Sequence, residues 1–299
     1  MIAGRLARLI FSGCLCLGLS SVAQAFDLVP GDLYSSNSQS LVISRYEPDG
    51  AFIDSISISP AYGSEVRGLA FGPDNLLYAT TVDGSGFKVV AIDRSGAVQS
   101  TYSGQGYLAG DLSSGKINFA RNGQFFVAGG QYLTRFDVGT TYGTSIYTNN
   151  GVTDVKGLPD GNLLVLSNYE LDELTTGGEL VRTITPSPVL LVDARGVEYD
   201  PASKTIYVSM LGYSGEEFQI LRMRSSGQII ESTYFVYAID LLLTPDPHFA
   251  AGRSRPGPGS PAPRLVVGSW TQAPGIFDLT LHQTGVLDSG QQMFVTQMQ

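Results

Sequence analysis

"RGLAFGPDNLLYATT" (residues 67–81) is a short apolar run, a Pro-Asp-Asn turn and a second apolar run. Proline presets the first dihedral of a tight turn, and Asn or Gly accepts the left-handed one, so the stretch reads as strand, turn, strand. The phrase returns. "GKINFARNGQFFVAGG" (115–130), "TDVKGLPDGNLLVLSN" (153–168) and "RGVEYDPASKTIYVSM" (195–210) align with it. A fifth copy begins as "IDLLLTPD" (239–246) and is expected to resume, after an interruption, as "RLVVGSW" (264–270). "DLYSSN" (32–37) stands as a second strand without a first.

A second unit follows each copy: apolar strand, polar turn with Gly, apolar strand. It reads "VISRYEPDGAFIDSI" (42–56), "KVVAIDRSGAVQSTY" (88–102), "LDELTTGGELVRTI" (171–184), "ILRMRSSGQIIEST" (220–233) and "IFDLTLHQTGVLDS" (276–289), with a looser version at 133–147. The expected turn glycines are Gly50, Gly96, Gly178, Gly227 and Gly285. Strands of this kind, broken by Gly, Asp, Asn and Ser, specify an all-β chain. Four strands recurring every ~40–50 residues fall in the period range of propellers and solenoids. The spacing predicts a β-propeller of six four-stranded blades. Seven blades or an open solenoid are the alternatives. The unpaired "DLYSSN" predicts that the first blade takes its innermost strand from "QMFVTQ" (292–297), closing the ring between the N- and C-terminal strands.

The first 25 residues read as a secretory leader: Arg5 and Arg8, then an apolar stretch, then Ala23-Gln24-Ala25 as the cleavage signal. The apolar stretch is short for a membrane span, and no later segment is long and apolar enough. The expectation is a chain exported to the periplasm or the medium, with residues 26–299 forming a single domain. Both cysteines, Cys14 and Cys16, fall in the leader, so core burial rather than disulfides must stabilise the mature chain. The net charge of −9 becomes −11 once the two leader arginines are removed. That balance disfavours nucleic acid and anionic membrane surfaces as partners. The segment 247–263, rich in Pro, Gly and Ser, is expected to be a flexible insertion joining the first and second strands of the last blade.

The phrases "RGLAFGPDNLLYAT" and "TDVKGLPDGNLLVLS" resemble NHL-type propeller repeats and the related gluconolactonase superfamily. The resemblance implies the propeller fold. It also implies, as one possibility, a lactonase- or lyase-like site at the mouth of the central channel. The lactonase branch holds a divalent cation there through Glu, Asn and Asp. Where its Asn precedes the "GLAF"-like phrase, this chain has Arg67, and Arg195 in the matching repeat, so the family's metal ligands are not matched. The lyase branch uses a His. Here only His248 and His282 are present, expected in the insertion and in an outer hairpin turn. A Cys/His zinc site is excluded by count, and no Gly-x-Ser-x-Gly elbow or phosphate loop occurs. No cofactor is expected. The oxygen-rich stretches "VDGSG" (82–86) and "NYELDE" (168–173) lack calcium-loop spacing and read as solvated turns.

Two groups of residues are candidate ligand contacts. Arg67, Lys116, Asp154, Arg195 and Asp240 stand at the entries to the inner strands, a mixed-sign ring, and Glu198 follows one of them. Either they pair with one another around a wet channel, or Arg67 and Arg195 hold an anionic group. Tyr132, Tyr169, Tyr213 and Trp270 follow second strands and are expected to ring the same face. Rigid aromatics with a polar edge suit peptide and glycan surfaces, whereas the plain alternative is packing between blades. The expectation is a monomeric, non-catalytic module engaging a peptide, glycan or protein. The alternative is an enzyme with its site near Arg67, Arg195, Glu198 and Asp240.

Overall fold

A computed structural model of the chain describes residues 28–297, apart from 38–39, 49–50, 84–85, 105–114, 149–150, 185, 187–189, 212–217, 236–237, 244–247, 254–263, 271–278 and 287–292; from residue 233 onward the strands alone are described. The leader lies outside the described residues. The chain is an all-β propeller of four-stranded blades. β1 (Leu33–Asn37), β2 (Val42–Tyr46) and β3 (Phe52–Ser57) form one sheet with β24 (Met293–Gln297). The others follow chain order. They are β4 (Glu65–Phe71), β5 (Leu77–Asp83), β6 (Gly86–Ile92) and β7 (Val98–Gly104); then β8 (Lys116–Phe119), β9 (Phe125–Gly129), β10 (Tyr132–Phe136) and β11 (Thr144–Thr148). Next come β12 (Val152–Gly157), β13 (Leu163–Ser167), β14 (Leu171–Leu174) and β15 (Leu180–Thr183), followed by β16 (Gly196–Asp200), β17 (Thr205–Leu211), β18 (Phe218–Arg224) and β19 (Ile229–Phe235). The last are β20 (Ala238–Leu243), β21 (His248–Arg253), β22 (Arg264–Trp270) and β23 (Leu279–Val286). Among the described residues there are thus six such sheets, each an antiparallel meander.

The inner strands pack in sequence, β4 on β8, β8 on β12, β12 on β16, β16 on β20, β20 on β24 and β24 on β4. β24 pairs antiparallel with β1, from Leu33 opposite Gln297 to Asn37 opposite Met293, so the two chain ends meet in one blade. Meander geometry then defines two faces. Inner strands begin, and second strands hand over to third strands, on what we term the entry face. First-to-second and third-to-fourth turns lie on the far face.

The turn chemistry is that of the repeated phrase. In the Pro73-Asp74-Asn75 turn, Asn75 has φ +62° and its N–H donates to the Gly72 carbonyl at 3.1 Å, while Asp74 Oδ1 accepts from Leu76 N. Asp160 does the same for Asn162 N at 3.0 Å, with Gly161 at φ +97°. Of the expected hairpin glycines, Gly96, Gly178 and Gly227 carry φ of 81–91°, and Gly50 lies outside the described residues. That dihedral puts Cβ against the next carbonyl in any L-residue, which is why Gly recurs there.

Each blade buries both faces against its neighbours. The first seam holds Leu28, Tyr34, Ile43, Val66, Leu77 and Val90. The next is aromatic: Phe125 stacks on Phe136 with centroids 4.5 Å apart, and Tyr78 meets Phe119 edge-on at 4.8 Å. Leucines dominate the two that follow. Full burial of one such side chain stabilises by about 1.5–3 kcal/mol, and the seams supply dozens. Burial also pushes the Tyr34 phenol up to about 12, and raises Tyr78 through burial first and its hydrogen bonds to Tyr102 and Asp74 second. Tyr34 accepts the Val29 N–H at 2.7 Å, which ties the start of the described chain to the first blade.

The last sheet differs from the expectation in three ways. "RLVVGSW" is its third strand, β22; the second strand is β21, drawn from the segment 247–263 expected to be a flexible insertion. The residues between β21 and β22 therefore join second to third strand, on the entry face rather than the far face. "IFDLTLHQTGVLDS" is not a hairpin. Residues 279–286 run as one strand, and Gly285 sits opposite Leu265 instead of in a turn. His248 accordingly opens β21 and His282 lies within β23.

Candidate functional site

The entry-face mouth of the ring is built where the inner strands start. β-Bulges sit at that point on three of them, between Val66 and Gly68, between Val152 and Asp154, and between Ala238 and Asp240. A bulge inserts one residue and re-aims its neighbours, here Arg67 as the inserted residue and Asp154 as the one after it. Lys116, at the start of β8, extends across two strands. Its Nζ donates to Asp154 Oδ2 on β12 at 3.1 Å and to the Arg195 carbonyl before β16 at 2.7 Å. Asp154 in turn accepts from Val155 N and from Val197 N, both at 2.8 Å. One level deeper, Lys156 Nζ meets Glu198 Oε1 at 2.8 Å, and Gly157 N donates to Asn118 Oδ1 at 3.1 Å. Lys116, Asp154 and Glu198 are buried to within 8% of side-chain exposure. They join β8, β12 and β16 as cross-blade ties.

Arg67 and Arg195 are arranged alike. Arg67 places Nε and Nη2 on Glu65 Oε1 at 2.7 and 2.5 Å; Arg195 Nη2 meets Asp193 Oδ1 at 2.5 Å. β4 and β16 stand opposite one another in the ring, two strands apart either way. Their entries share the pattern acid-x-Arg-Gly, Glu65 to Gly68 and Asp193 to Gly196. The two acids were absent from the sequence-derived candidates, although this shared spacing marks them. Arg67 is buried, whereas Arg195 and Asp193 keep 21% and 33% of their side chains exposed. Asp193 holds φ +48°, uncommon for a residue with a Cβ. The structure thus brings Lys116, Asp154, Arg195 and Glu198 together on one side of the ring and keeps Arg67 with its own carboxylate. Asp240 lies on β20, within the strands described without side chains.

The aromatic candidates divide. Tyr169, in the turn between β13 and β14, is 66% exposed on the entry face. Tyr132 opens β10 on the same face and is half-buried. Tyr213 lies outside the described residues. Trp270 ends a third strand, opposite Leu279 at the start of β23, which places it at the far face and removes it from the expected ring. Asn168, beside Tyr169, donates its N–H to the Gly151 carbonyl and accepts Ala194 N–H through its own carbonyl, each at 3.1 Å. Its side-chain Oδ1 is buried with no hydrogen-bond partner. The loop carrying Ala194 also exposes Leu190, at 64%.

"NYELDE" is not a solvated turn throughout. Asp172 and Glu173 are buried on β14, Asp172 accepting from the Tyr147 and Thr183 hydroxyls and Glu173 from Asn162 and Arg182. Among the described residues, no three His, Cys, Asp or Glu side chains converge as a metal-holding set. No helix among them is long and apolar enough to cross a membrane.

No protein-family model matches this chain, and no curated protein matches it; the likeness to NHL and gluconolactonase repeats stands on the repeated phrases alone. Solved structures match the fold. A Bacteroides caccae protein of unknown function is 14% identical over 69% of this chain and 78% of that one, with a TM-score of 0.53. Kuenenia stuttgartiensis hydrazine synthase is 16% identical over 72% of this chain and 65% of that one, at 0.54. A chain of the mitotic checkpoint complex is 13% identical over 88% of this chain and 78% of that one, at 0.57. At these identities the likeness carries the propeller architecture and nothing of the chemistry.

Proposed function

We propose that this chain is an exported, six-bladed, NHL-like propeller that works as a non-catalytic binding module, engaging its partner on the entry face. One observation carries the reading. The ionisable side chains that an enzyme of this architecture would present at the channel are committed to one another, while a rigid aromatic, Tyr169, stands exposed beside them. A buried Lys–Asp pair with two further amide donors is a tie between blades, and a carboxylate so held makes a poor base or metal ligand. An exposed Tyr on a rigid scaffold is a low-entropy anchor for a partner.

The test is affinity capture from periplasm and culture medium with wild type, Tyr169→Ala and Tyr132→Ala. The expected result is a partner whose retention falls at least about ten-fold in Tyr169→Ala, as for a hot-spot aromatic. A partner retained equally by all three proteins rejects the entry face as the binding surface.

A further inference from the structure

The cleft between the fourth and fifth blades combines groups that recognise one chemical class. Tyr169 offers a flat, exposed ring. Asn168 Oδ1 is a buried acceptor with no donor. Asp193 and Arg195, on the loop held to Asn168 by the Ala194 hydrogen bond, form a partly exposed pair 2.5 Å apart. Leu190 adds exposed apolar surface on that loop. Resting on the entry-face reading above, we propose that this cleft is a glycan-binding subsite: a sugar ring stacks on Tyr169 while its hydroxyls bond Asn168 and the Asp193–Arg195 pair.

The choice of ligand follows from the polarity. A hydroxyl both donates and accepts, so it satisfies an orphan amide oxygen and a carboxylate–guanidinium pair together. Leaving that amide oxygen unbonded costs free energy that a donor from the ligand recovers. The pair is neutral overall, which favours an uncharged polyhydroxyl ligand over an acidic or basic peptide. A peptide recognised through its backbone needs a bare strand edge. Here β13 is paired on both sides, by β12 and β14. Asp193 held at φ +48° fits a loop kept in an unfavourable conformation for a ligand's sake.

The experiment uses the full chain with two probes: a panel of short neutral oligosaccharides of β-1,3, β-1,4 and α-1,4 linkage, read by saturation-transfer NMR, and an immobilised random peptide library. An oligosaccharide should bind, with affinity reduced at least about ten-fold by Tyr169→Ala and kept within about three-fold by Tyr169→Phe, which retains the stacking face. Tyr142→Ala, removing an exposed aromatic of the far face, should leave binding unchanged. Thermal melting of each variant checks the fold. Failure of every oligosaccharide to bind, or binding indifferent to Tyr169→Ala, overturns the proposal. A library peptide that binds and is lost with Tyr169→Ala overturns the glycan assignment but leaves the entry face as the binding surface. If neither sugar nor peptide responds to Tyr169→Ala, both readings fall.

Discussion

Replacing Lys116 with Met removes the cation that ties three inner strands while keeping most of the side chain's volume. Asp154 Oδ2 then loses its ammonium partner at 3.1 Å, and the Arg195 carbonyl loses a donor at 2.7 Å. Both members of the pair are nearly inaccessible, with side-chain exposures of 5% and 8%, so water cannot replace the lost contacts cheaply. Breaking such a buried pair costs about 3–5 kcal/mol. Two backbone amides still hold the Asp154 carboxylate, which places the expected loss near the lower bound, about 3 kcal/mol. At roughly 2–4 °C per kcal/mol for a domain of this size, Tm should fall by roughly 6–12 °C. Circular dichroism melting is the assay, with urea titration as a check on the free energy. Adding Asp154→Asn removes the stranded charge, so the double variant should recover part of the loss. A fall below about 2 °C, or a double variant no more stable than Lys116→Met alone, refutes the reading of Lys116 as a cross-blade tie.

Other consequences follow from single positions. A Cβ at Gly68 would lie 2.1 Å from the Gly115 carbonyl oxygen, so Gly68→Ala should cost more than about 3 kcal/mol by urea unfolding. Gly161→Ala, with nothing within 4 Å and φ +97°, should cost only about 1 kcal/mol from its dihedral. Thr80 Oγ1 is buried without a partner, so Thr80→Val should leave Tm unchanged or raise it; a clear fall would mean that the hydroxyl is satisfied after all. The Tyr34 phenol is raised from 10.0 to about 12 in the folded chain. Its neutral form stabilises the fold fully below pH 10, and that contribution is lost as pH rises through 12, because the unfolded chain releases the proton first. Stability measured across that window should fall less steeply in Tyr34→Phe.

The strand-turn-strand phrase was legible because its chemistry is local. Pro, Asp and Asn or Gly set turn dihedrals whatever surrounds them, and Asn75, Gly161, Gly96 and Gly227 hold the conformations that their positions imply. The last blade was misread for the converse reason. "HFAAGR" has little β propensity of its own, and its strand pairs on both sides with better strand formers, so tertiary context overrides sequence there. Gly285 carries the signature of a turn but is a strand glycine. That shift of one strand moved Trp270 to the wrong face. The mouth of the channel was legible as a set of positions, since inner-strand entries can be counted off the repeats. What the entries do was not, because a lysine's reach from β8 to β16 depends on ring curvature, which no local pattern records. The pattern acid-x-Arg-Gly, present at Glu65 and Asp193, was readable and identifies the partners of both arginines.

Every assignment of a residue to the entry or far face depends on the ring closing through β1 and β24. Ser35 lies opposite Val295 in that pairing. Opposed residues of an antiparallel pair have Cα atoms about 4.5–5.5 Å apart, within disulfide range. The direct measurement is non-reducing electrophoresis and peptide mapping of Ser35→Cys/Val295→Cys, in a chain with Cys14 and Cys16 changed to Ser. The closed ring predicts an intramolecular disulfide in this variant and far less in Ser35→Cys/Gln297→Cys, which is two residues out of register. No cross-link in the first variant, or equal cross-linking in both, contradicts it.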